Sequence, residues 1–498
     1  MRARLGRLLI FASLATVSFA TVPLAGIGAQ PTRSVLRPRA PVDAIALSSD
    51  LRSLIAQSTN RGRWGAIVVS LTRGDTLFVE GADETMLPAS TMKLYTAAFV
   101  LERFGPAHQF RTQILRDGAL LPDGTVDGDL YLKGAGDPSL APRYARWNDG
   151  VRPMDALVEL VVASGVKHVR GDIVGDASAF DGQRVPDGWN TRYLQAGYAA
   201  RVSALSFNEN LAHIVVRPAR RGAEVDFEHH VRGMSLNSTV RVRPGSRGAS
   251  IRVWQDTTAG WFRVSGWIGA QSRARTYQVV VEQPERFTAG AFRAALEERG
   301  ITVGGGVRVG PAPETAEFLT AWASPPLAQL VVTMNGESNN HFAELLFRNA
   351  ARAEGGIGSV ERANASLRHF LDVRVGTRPD AVYAADGSGL STLDRVTARS
   401  MVQLLGYTNA APWGSVLRAS LPVAGRTETL RTRMRFTAAQ GNLRAKTGTT
   451  DDVASLGGYV TAQNGEDLAF SFIYNGRDLS RAREAIDAMG ATLAAFSR

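Results

Sequence analysis

Three short motifs in this 498-residue chain hold side chains that could carry out nucleophilic catalysis. The first is Ser90-Thr91-Met92-Lys93, which opens a run of helix-forming residues. Side chains three residues apart on a helix lie one turn apart on the same face, so a neutral lysine amine would be within reach of the serine hydroxyl. That amine could take the proton as the serine oxygen attacks a carbonyl carbon. Alone, the pattern also fits a serine helix cap followed by a solvent-exposed lysine.

The second motif, Ser338-Asn339-Asn340, supplies a hydroxyl and an amide. Ser338 could relay a proton between a catalytic amine and a leaving group, and the Asn340 amide could orient the amide bond of a substrate. A polar loop or helix cap is the alternative interpretation. The motif gains weight because it follows the first in the order that this chemistry requires.

The third motif, Lys446-Thr447-Gly448-Thr449, precedes a run of strand-forming residues. Lys446, Thr447 and Thr449 offer donors to a carboxylate, and Gly448 would let a substrate backbone approach closely. An ordinary strand start is the alternative.

Only four of the 57 Lys and Arg residues are lysines, and two of the four, Lys93 and Lys446, lie in these motifs. Burial can make a lysine amine neutral, whereas arginine stays protonated.

These residues resemble the class C low-molecular-mass penicillin-binding proteins, the penicillin-binding protein 4 type D-alanyl-D-alanine carboxypeptidases and endopeptidases. The ordered triplet carries the resemblance, as does the long insertion, because Ser338 lies 248 positions after Ser90. Class A β-lactamases have a far shorter gap. Further phrases look like the same family: Gly134-Ala135-Gly136-Asp137-Pro138, Gly171-Asp172-Ile173-Val174-Gly175-Asp176, Val202-Ser203-Ala204-Leu205-Ser206-Phe207-Asn208-Glu209-Asn210 and Asp386-Gly387-Ser388-Gly389-Leu390-Ser391.

The resemblance implies a role for each motif residue. Ser90 would be the acylated nucleophile and Lys93 its general base. Ser338 and Lys446 would assist proton transfer, and Asn340 would hold the acyl-side amide. The backbone N–H groups of Ser90 and Thr449 would form the oxyanion hole. Thr447, Gly448 and Thr449 would bind the end of the substrate that carries the terminal carboxylate of D-Ala-D-Ala, or the equivalent carboxylate of penicillin.

The resemblance also implies a side pocket for the third residue of the peptide. Asp176 and Phe180 match positions that line this pocket in the family. Where family members place an arginine after the Gly-Ser-Gly-Leu-Ser phrase, this chain has Thr392, and Arg395 comes three positions later. Asp451 and a second acid follow the third motif. The predicted pocket is therefore rich in acid and could prefer an amine-bearing side chain, so a preference for diaminopimelate is open.

The elements that must position these residues predict an α+β fold. A helical pattern over 43–57 and a hairpin over 64–80 precede the first motif, while a hairpin over 454–475 and a helix over 481–496 follow the third. We expect the strands of both chain ends to form one antiparallel sheet covered by helices. Short β-type runs fill about 109–313, interrupted by one helix near 289–299.

The family resemblance extends this picture to a serine β-lactamase and transpeptidase-like catalytic domain with two nested, mostly β inserted domains. The predicted organisation is a signal peptide at 1–29, a linker at 30–42, a catalytic domain at 43–108 and 314–498, an inserted domain at 109–178 and 276–313, and a nested domain at 179–275.

Composition and the N-terminus bound the cellular setting. The chain has no Cys, which excludes disulfides, thiol catalysis and thiolate metal sites. Three arginines precede an apolar run from Leu8 to Val22, as in a secretory signal. We expect cleavage after Ala29 or Ala20, and an uncleaved membrane anchor is the alternative. The protein is predicted to be exported, periplasmic or extracellular, and associated with the cell wall.

The net charge and the absence of certain motifs favour some partners and disfavour others. A formal charge of +11 favours peripheral association with an anionic wall or membrane surface, although a generally basic surface explains it equally well. The arginines are scattered rather than clustered with aromatics, which disfavours nucleic acid. No Gly-x-Ser-x-Gly or His-Glu-x-x-His pattern occurs, which disfavours an α/β hydrolase and a zinc peptidase. No metal and no cofactor are predicted, and oligomeric state is open.

The predicted function is cleavage of D-Ala-D-Ala or of D-alanyl cross-links in peptidoglycan stem peptides through an acyl-enzyme, with β-lactam antibiotics as covalent inhibitors. A β-lactamase or esterase on the same fold is one alternative, although no motif clearly supplies a second base for a deacylating water. A non-catalytic penicillin-sensing or wall-binding protein is the other.

Overall fold

The computed structural model describes residues 36–59, 61–256 and 260–498. The predicted signal peptide and the start of the predicted linker lie outside the described residues. The α-helices in the described part are α1 Ala44–Ser58, α2 Met92–Phe104, α3 Pro153–Ala163, α4 Pro284–Glu298, α5 Leu327–Gly336, α6 Asn340–Arg352, α7 Val360–Phe370, α8 Ala398–Ala410, α9 Gly414–Ser420 and α10 Leu479–Ala495. Each of these helices is too short or too polar to cross a membrane.

The strands in the same residues are β1 Arg63–Ser70, β2 Thr76–Glu80, β3 Arg111–Asp117, β4 Thr125–Val126, β5 Asp129–Lys133, β6 His168–Val169, β7 Ile173–Asp176, β8 Leu211–Ala219, β9 Gly222–Phe227, β10 Leu236–Arg243, β11 Ala249–Gln255, β12 Phe262–Gly269, β13 Arg275–Val280, β14 Thr302–Val303, β15 Val307–Val309, β16 Glu317–Ala323, β17 Val382–Tyr383, β18 Arg395–Val396, β19 Arg444–Thr449, β20 Val453–Thr461 and β21 Asp467–Asn475.

One antiparallel sheet joins the two ends of the chain. Its order is β19-β20-β21-β1-β2, with β1 paired to β21 from Arg63 opposite Asn475 to Ser70 opposite Leu468. Side chains alternate between the two faces of a strand, so Val68 packs in the cluster with α1 and α10 while Ile67 packs in the cluster with α2 and α8. The predicted α+β class, with an antiparallel sheet covered by helices, is confirmed.

Helix α2 is the centre of the second cluster. Its residues from Met92 to Leu101 are all buried, so it lacks the exposed polar stripe of a surface helix. This helix follows directly after Ser90 and carries Lys93. Lys93 is thereby fixed on an element that is packed on every side.

The outer part of the insertion contains two sheets. One has the order β15-β7-β5-β3-β16, and a smaller one has the order β14-β6-β4. Strand β16 lies beyond the predicted boundary at 313 and pairs with β3, so the inserted sheet continues into the segment that the sequence assigned to the catalytic domain. The boundary was predicted where the short β-type runs end, but the edge of β3 pairs with a strand beyond that point.

The nested part holds two three-stranded sheets, β10-β12-β11 and β13-β8-β9. Strand β13 pairs with β8 from Arg275 to Val280, so the predicted boundary between 275 and 276 falls inside a strand. The insertion also has two long helices rather than the one predicted, because α3 precedes α4. Residues 36–498 form one unit by their contacts, and the division into three domains stays a prediction.

Candidate active site

The first motif lies at the start of α2, at a strained turn. Ala89–Thr91 form a short 3-10 helix that runs into α2, and Ala89 has a φ of 48°. A non-glycine residue with positive φ stores backbone strain that the surrounding packing must hold. Gly389 is part of that packing, because a Cβ there would lie 1.9 Å from the Ala89 carbonyl oxygen.

Lys93 is fully buried and its amine contacts three oxygens. Nζ lies 3.0 Å from Ser90 Oγ and donates to Asn340 Oδ1 at 2.6 Å and to the Ser388 carbonyl oxygen at 2.6 Å. Burial lowers the pKa of Lys93 to about 8, and the neighbouring Asp386, Glu344 and Asp394 carboxyl groups oppose this shift. A substantial neutral fraction of the amine is therefore available near neutral pH.

The second motif joins this amine from the other side. Ser338 has a φ of 57° and directly precedes the cap of α6, where the Asn339 side chain accepts from the Phe342 N–H. Asn340 is the first residue of α6, and its Nδ2 donates to the Tyr198 carbonyl oxygen at 2.8 Å. The Asn340 side chain is therefore held at both ends, by Lys93 and by a segment of the insertion.

The third motif lies on β19, the edge strand beside the Ser90 turn. Lys446 is fully buried, and its Nζ donates to Ser338 Oγ at 2.9 Å and to the Thr447 carbonyl oxygen at 2.9 Å. Burial lowers the pKa of Lys446 well below its ordinary value, and the nearby Lys93 amine lowers it further. Both effects disfavour the charged form of this amine, to which the family resemblance gives a part in proton transfer.

Gly448 is required by packing. A Cβ at this position would lie 2.1 Å from Ser455 Oγ and 2.7 Å from the Pro88 carbonyl oxygen. The structural reason for this glycine is thus the close approach of β19 to the Ser90 turn. Thr449 is exposed at the end of β19, and Thr447 Oγ1 donates to Thr429 Oγ1 at 3.1 Å.

Five of the predicted residues thus form one continuous cluster: Ser90, Lys93, Asn340, Ser338 and Lys446. Asp176 and Phe180 make other contacts. Asp176 is fully buried, and its two oxygens accept from the backbone N–H groups of Ser178 and Ala312. Phe180 is buried in an apolar cluster with Trp189 and Leu345. The substrate-binding roles of Asp176 and Phe180 stay predictions.

A neighbouring arginine also offsets part of the negative charge that was predicted for the side pocket. The Asp451 carboxylate is paired with the Arg192 guanidinium and accepts from the Tyr193 hydroxyl. Thr392 Oγ1 donates to the Gly188 carbonyl oxygen at 3.0 Å, and Arg395 donates to the carbonyl oxygens of Thr392 and Asp394. One nitrogen of Arg395, Nη1, is therefore held by carbonyl oxygens of its own loop.

Sequence reasoning missed the acidic layer beneath Lys93. Asp386 is fully buried and accepts six hydrogen bonds, from the backbone N–H groups of Ser388, Gly389, Leu390 and Ser391, from Ser388 Oγ and from Trp189 Nε1. This carboxylate folds the 386–391 loop around itself and so aims the Ser388 carbonyl oxygen at Lys93. The Asp-Gly-Ser-Gly phrase was the signal in the sequence, but no role had been predicted for its residues.

Glu344 and Asp394 complete this layer. Burial and the proximity of Asp386 raise the pKa of Glu344 to about 8 and raise the pKa of Asp394 well above its ordinary value. One oxygen of each group is buried without a hydrogen-bond partner, which suits a protonated acid better than an anion. Asp386, with six donors, is the carboxyl group best stabilised as an anion.

Among the described residues, one other cluster has ligand atoms close enough to share a metal ion. The nitrogen and oxygen atoms of His213, Glu228 and His229 all lie within 4.8 Å of one another in the nested part. His213 Nδ1 and a Glu228 carboxylate oxygen are 2.7 Å apart, as in an ordinary ion pair.

The chain as a whole matches the model of the D-Ala-D-Ala carboxypeptidase 3 (S13) family over residues 47–496. The chain belongs to the S13 family of D-Ala-D-Ala carboxypeptidases. The predicted family is thereby confirmed, and with it the predicted activity of a serine-type D-Ala-D-Ala carboxypeptidase.

Individual S13 relatives agree over most of their length. A D-alanyl-D-alanine carboxypeptidase of Actinomadura sp. strain R39 is 33% identical over 97% of this chain and 90% of its own. The crystal structure of penicillin binding protein 4 from Haemophilus influenzae has the same fold, with a TM-score of 0.75 at 22% identity, covering 88% of this chain and 98% of that one. Its complex with a β-lactam gives a TM-score of 0.69 at 23% identity, over 86% and 93% of the two chains.

Proposed function

We propose that Ser90 is the nucleophile of this S13 peptidase and that Lys93 is its general base. One observation carries the assignment: the fully buried Lys93 amine lies 3.0 Å from Ser90 Oγ, while its two other contacts, Asn340 Oδ1 and the Ser388 carbonyl oxygen, can only accept hydrogen bonds. A neutral amine that donates to both acceptors has its lone pair left for the Ser90 hydroxyl hydrogen. This is the arrangement that a general base requires.

In the acylation step, the Ser90 oxygen forms a bond to the carbonyl carbon of the penultimate D-Ala, and its proton passes to Lys93. The carbon–nitrogen bond then breaks, and the leaving nitrogen takes a proton from the Lys446 and Ser338 pair, which are 2.9 Å apart. Water afterwards attacks the ester carbon and restores Ser90. The net reaction consumes one water and gives a carboxylic acid and an amine.

Substrate is held on the β19 side of this cluster. The exposed Thr449 and the half-buried Thr447 are the proposed donors to the terminal carboxylate of D-Ala-D-Ala. The backbone N–H groups of Ser90 and Thr449 are the proposed oxyanion hole, and one such donor typically contributes about 3 kcal/mol to lowering the barrier. A β-lactam presents an equivalent carboxylate and carbonyl, and the relative from Haemophilus influenzae forms a complex with one.

Peptidoglycan stem peptides are the proposed substrates, and the third residue of the peptide is proposed to contribute little to selection. Thr392 stands where family members have an arginine, and Arg395 is held by the carbonyl oxygens of its own loop. Rates on peptides with diaminopimelate, lysine and amidated diaminopimelate at this residue test this point. Similar kcat/KM values are expected, and a strong preference for a free carboxylate would contradict it.

The decisive experiment is covalent labelling with a fluorescent penicillin. Wild-type protein should be labelled at Ser90, and Ser90→Ala should lose both labelling and D-Ala release. Ser235→Ala, at an exposed serine of the nested part, is the matched control and should retain both. Labelling that persists in Ser90→Ala would refute the assignment, and rapid turnover of penicillin without a stable adduct would instead favour a β-lactamase.

Product analysis on muropeptides separates the two peptidase activities. Release of free D-Ala marks a carboxypeptidase, and conversion of cross-linked dimers to monomers marks an endopeptidase. Export to the wall is proposed from the basic N-terminus and the apolar run after it. Fractionation of cells should place the protein outside the cytoplasm, and peripheral attachment to an anionic surface should be released by salt.

A further inference from the structure

A second cavity lies where the inserted sheet meets the catalytic helices. Its volume is about 410 Å³, and it is lined by the ends of α2 and α6 on one side and by residues of β3 and β5 on the other. Phe104 and Phe110 supply its apolar wall, and Gln113 supplies an amide. The cavity is separate from the catalytic cluster but shares α6 with it. Asn340 and Arg352 are at opposite ends of that helix, about 18 Å apart at 1.5 Å per residue.

The lining of this cavity is strongly positive. It includes Arg111, Lys133 and Arg352, and it includes no Asp or Glu. The one ion pair that these three cations form among the described residues is between Lys133 and Asp176, which lies outside the lining. Bringing like charges together in a partly buried space is unfavourable unless an anion offsets them.

The three cations have little compensation from the protein itself. In the part of the chain that the structure describes, neither Arg111 nor Arg352 has an ion-pair partner, and Arg352 donates only to Asn349 Oδ1 at 3.2 Å. Lys133 Nζ lies 3.9 Å from Asp176 Oδ2, but both oxygens of that carboxylate already accept backbone N–H groups. Burial lowers the pKa of Arg352, as expected for a guanidinium without a counter-ion.

The neighbouring Arg348 shows the contrast. It lies one turn before Arg352 on α6 and is fully buried, yet its guanidinium pairs with the Asp181 carboxylate. The same helix therefore carries one arginine with an internal anion and one without. The unmatched arginine is the one that faces the cavity.

We propose that this cavity is a binding site for an oxyanion, a carboxylate or a phosphate, attached to a small apolar group. The planar guanidinium of Arg352 suits the two oxygens of either anion, and Lys133 adds a point charge beside it. Phe104 and Phe110 would cover the apolar part of the ligand. The proposal does not depend on the roles assigned to Ser90 and Lys93.

Isothermal titration of the full chain tests the proposal, with citrate as the carboxylate probe and inorganic pyrophosphate as the phosphate probe. We expect saturable binding of at least one probe at low ionic strength, with a Kd of about 1 mM or tighter, and weakening as salt is added. Arg352→Gln and Lys133→Gln should each weaken binding about tenfold or more. The probe that binds more tightly identifies the chemistry of the natural anion.

Arg368→Gln is the matched control, because Arg368 lies on the exposed surface of α7 and donates to the Pro379 carbonyl oxygen. It should bind the probes as wild type does. Penicillin labelling of Ser90 should persist in all variants and so reports that each is folded; if Arg352→Gln fails to fold, Lys133→Gln decides. Absence of saturable binding of both probes, or equal binding by the cavity variants and the control, overturns the proposal.

Discussion

Acylation of Ser90 by a β-lactam should accelerate as pH rises through about 8. Lys93 must be neutral to accept the Ser90 proton, and its pKa is about 8 because complete burial outweighs the nearby carboxyl groups. The neutral fraction is then about 9% at pH 7 and about 90% at pH 9. The second-order rate constant for acylation should therefore rise about tenfold between these pH values and level off above pH 9.

The inflection is assigned to Lys93 because its amine is the one that contacts Ser90 Oγ, at 3.0 Å. Burial lowers the pKa of Lys446 well below its ordinary value, and Lys93 lowers it further. Stopped-flow measurement of acylation from pH 6 to pH 10, at constant ionic strength and with a β-lactam stable over that range, checks the prediction. A flat profile, or a rate that falls as pH rises, would show that the Lys93 amine is not the titrating base.

Three further outcomes follow from single substitutions. Lys93→Arg should reduce the acylation rate by about 10² or more, nearly as much as Lys93→Ala, because arginine cannot act as a base; substantial labelling by the arginine variant would contradict the neutral-amine mechanism. Gly448→Ala should cost about 1 to 3 kcal/mol in denaturant unfolding and slow acylation, because its Cβ would lie 2.1 Å from Ser455 Oγ; unchanged stability and rate would exclude this packing role. Glu344→Gln should raise the Tm at pH 9 relative to wild type but not at pH 5. The pKa of Glu344 is raised to about 8, so the folded state binds its proton more tightly and wild-type stability falls as pH rises from about 4.5 through 8. Equal Tm differences at both pH values would count against a buried protonated Glu344.

Local spacing explains why the candidate site could be found in the sequence. Ser90 and Lys93 are one helical turn apart, so their contact follows from secondary structure alone. The two later motifs were found as short phrases in a fixed order. The sheet that joins the chain ends was equally accessible, because β1, β20 and β21 each carry apolar runs bounded by turns.

The acidic layer beneath Lys93 was inaccessible for the opposite reason. The Ser388 carbonyl oxygen reaches Lys93 across 295 residues, and no local pattern predicts that contact. The surroundings of Asp176 were inaccessible for the same reason, because its two oxygens accept from backbone N–H groups as far apart in the sequence as Ser178 and Ala312. Its role toward substrate stays a prediction.

Helix α3 was missed although its signal is present. Met154, Leu157, Val158 and Val161 are buried at helical spacing, and Pro153 opens the helix at its first turn, where proline is favoured. Because short β-type runs surround this helix, the whole segment was predicted to form strands. Periodicity was a better guide here than the texture of the neighbouring sequence.

With the roles proposed above, the protonation of Lys446 links substrate selection to catalysis. Among the residues that the structure describes, this amine donates to Ser338 Oγ and to the Thr447 carbonyl oxygen and forms no ion pair with a carboxylate. A peptide that ends in a free carboxylate would bring that missing charge to β19 and would raise the pKa of the amine. The proton that Lys446 then gains is the one that the leaving nitrogen needs. Binding of the correct terminus thus prepares the acid for the step that follows, and an uncharged terminus would leave it unprotonated.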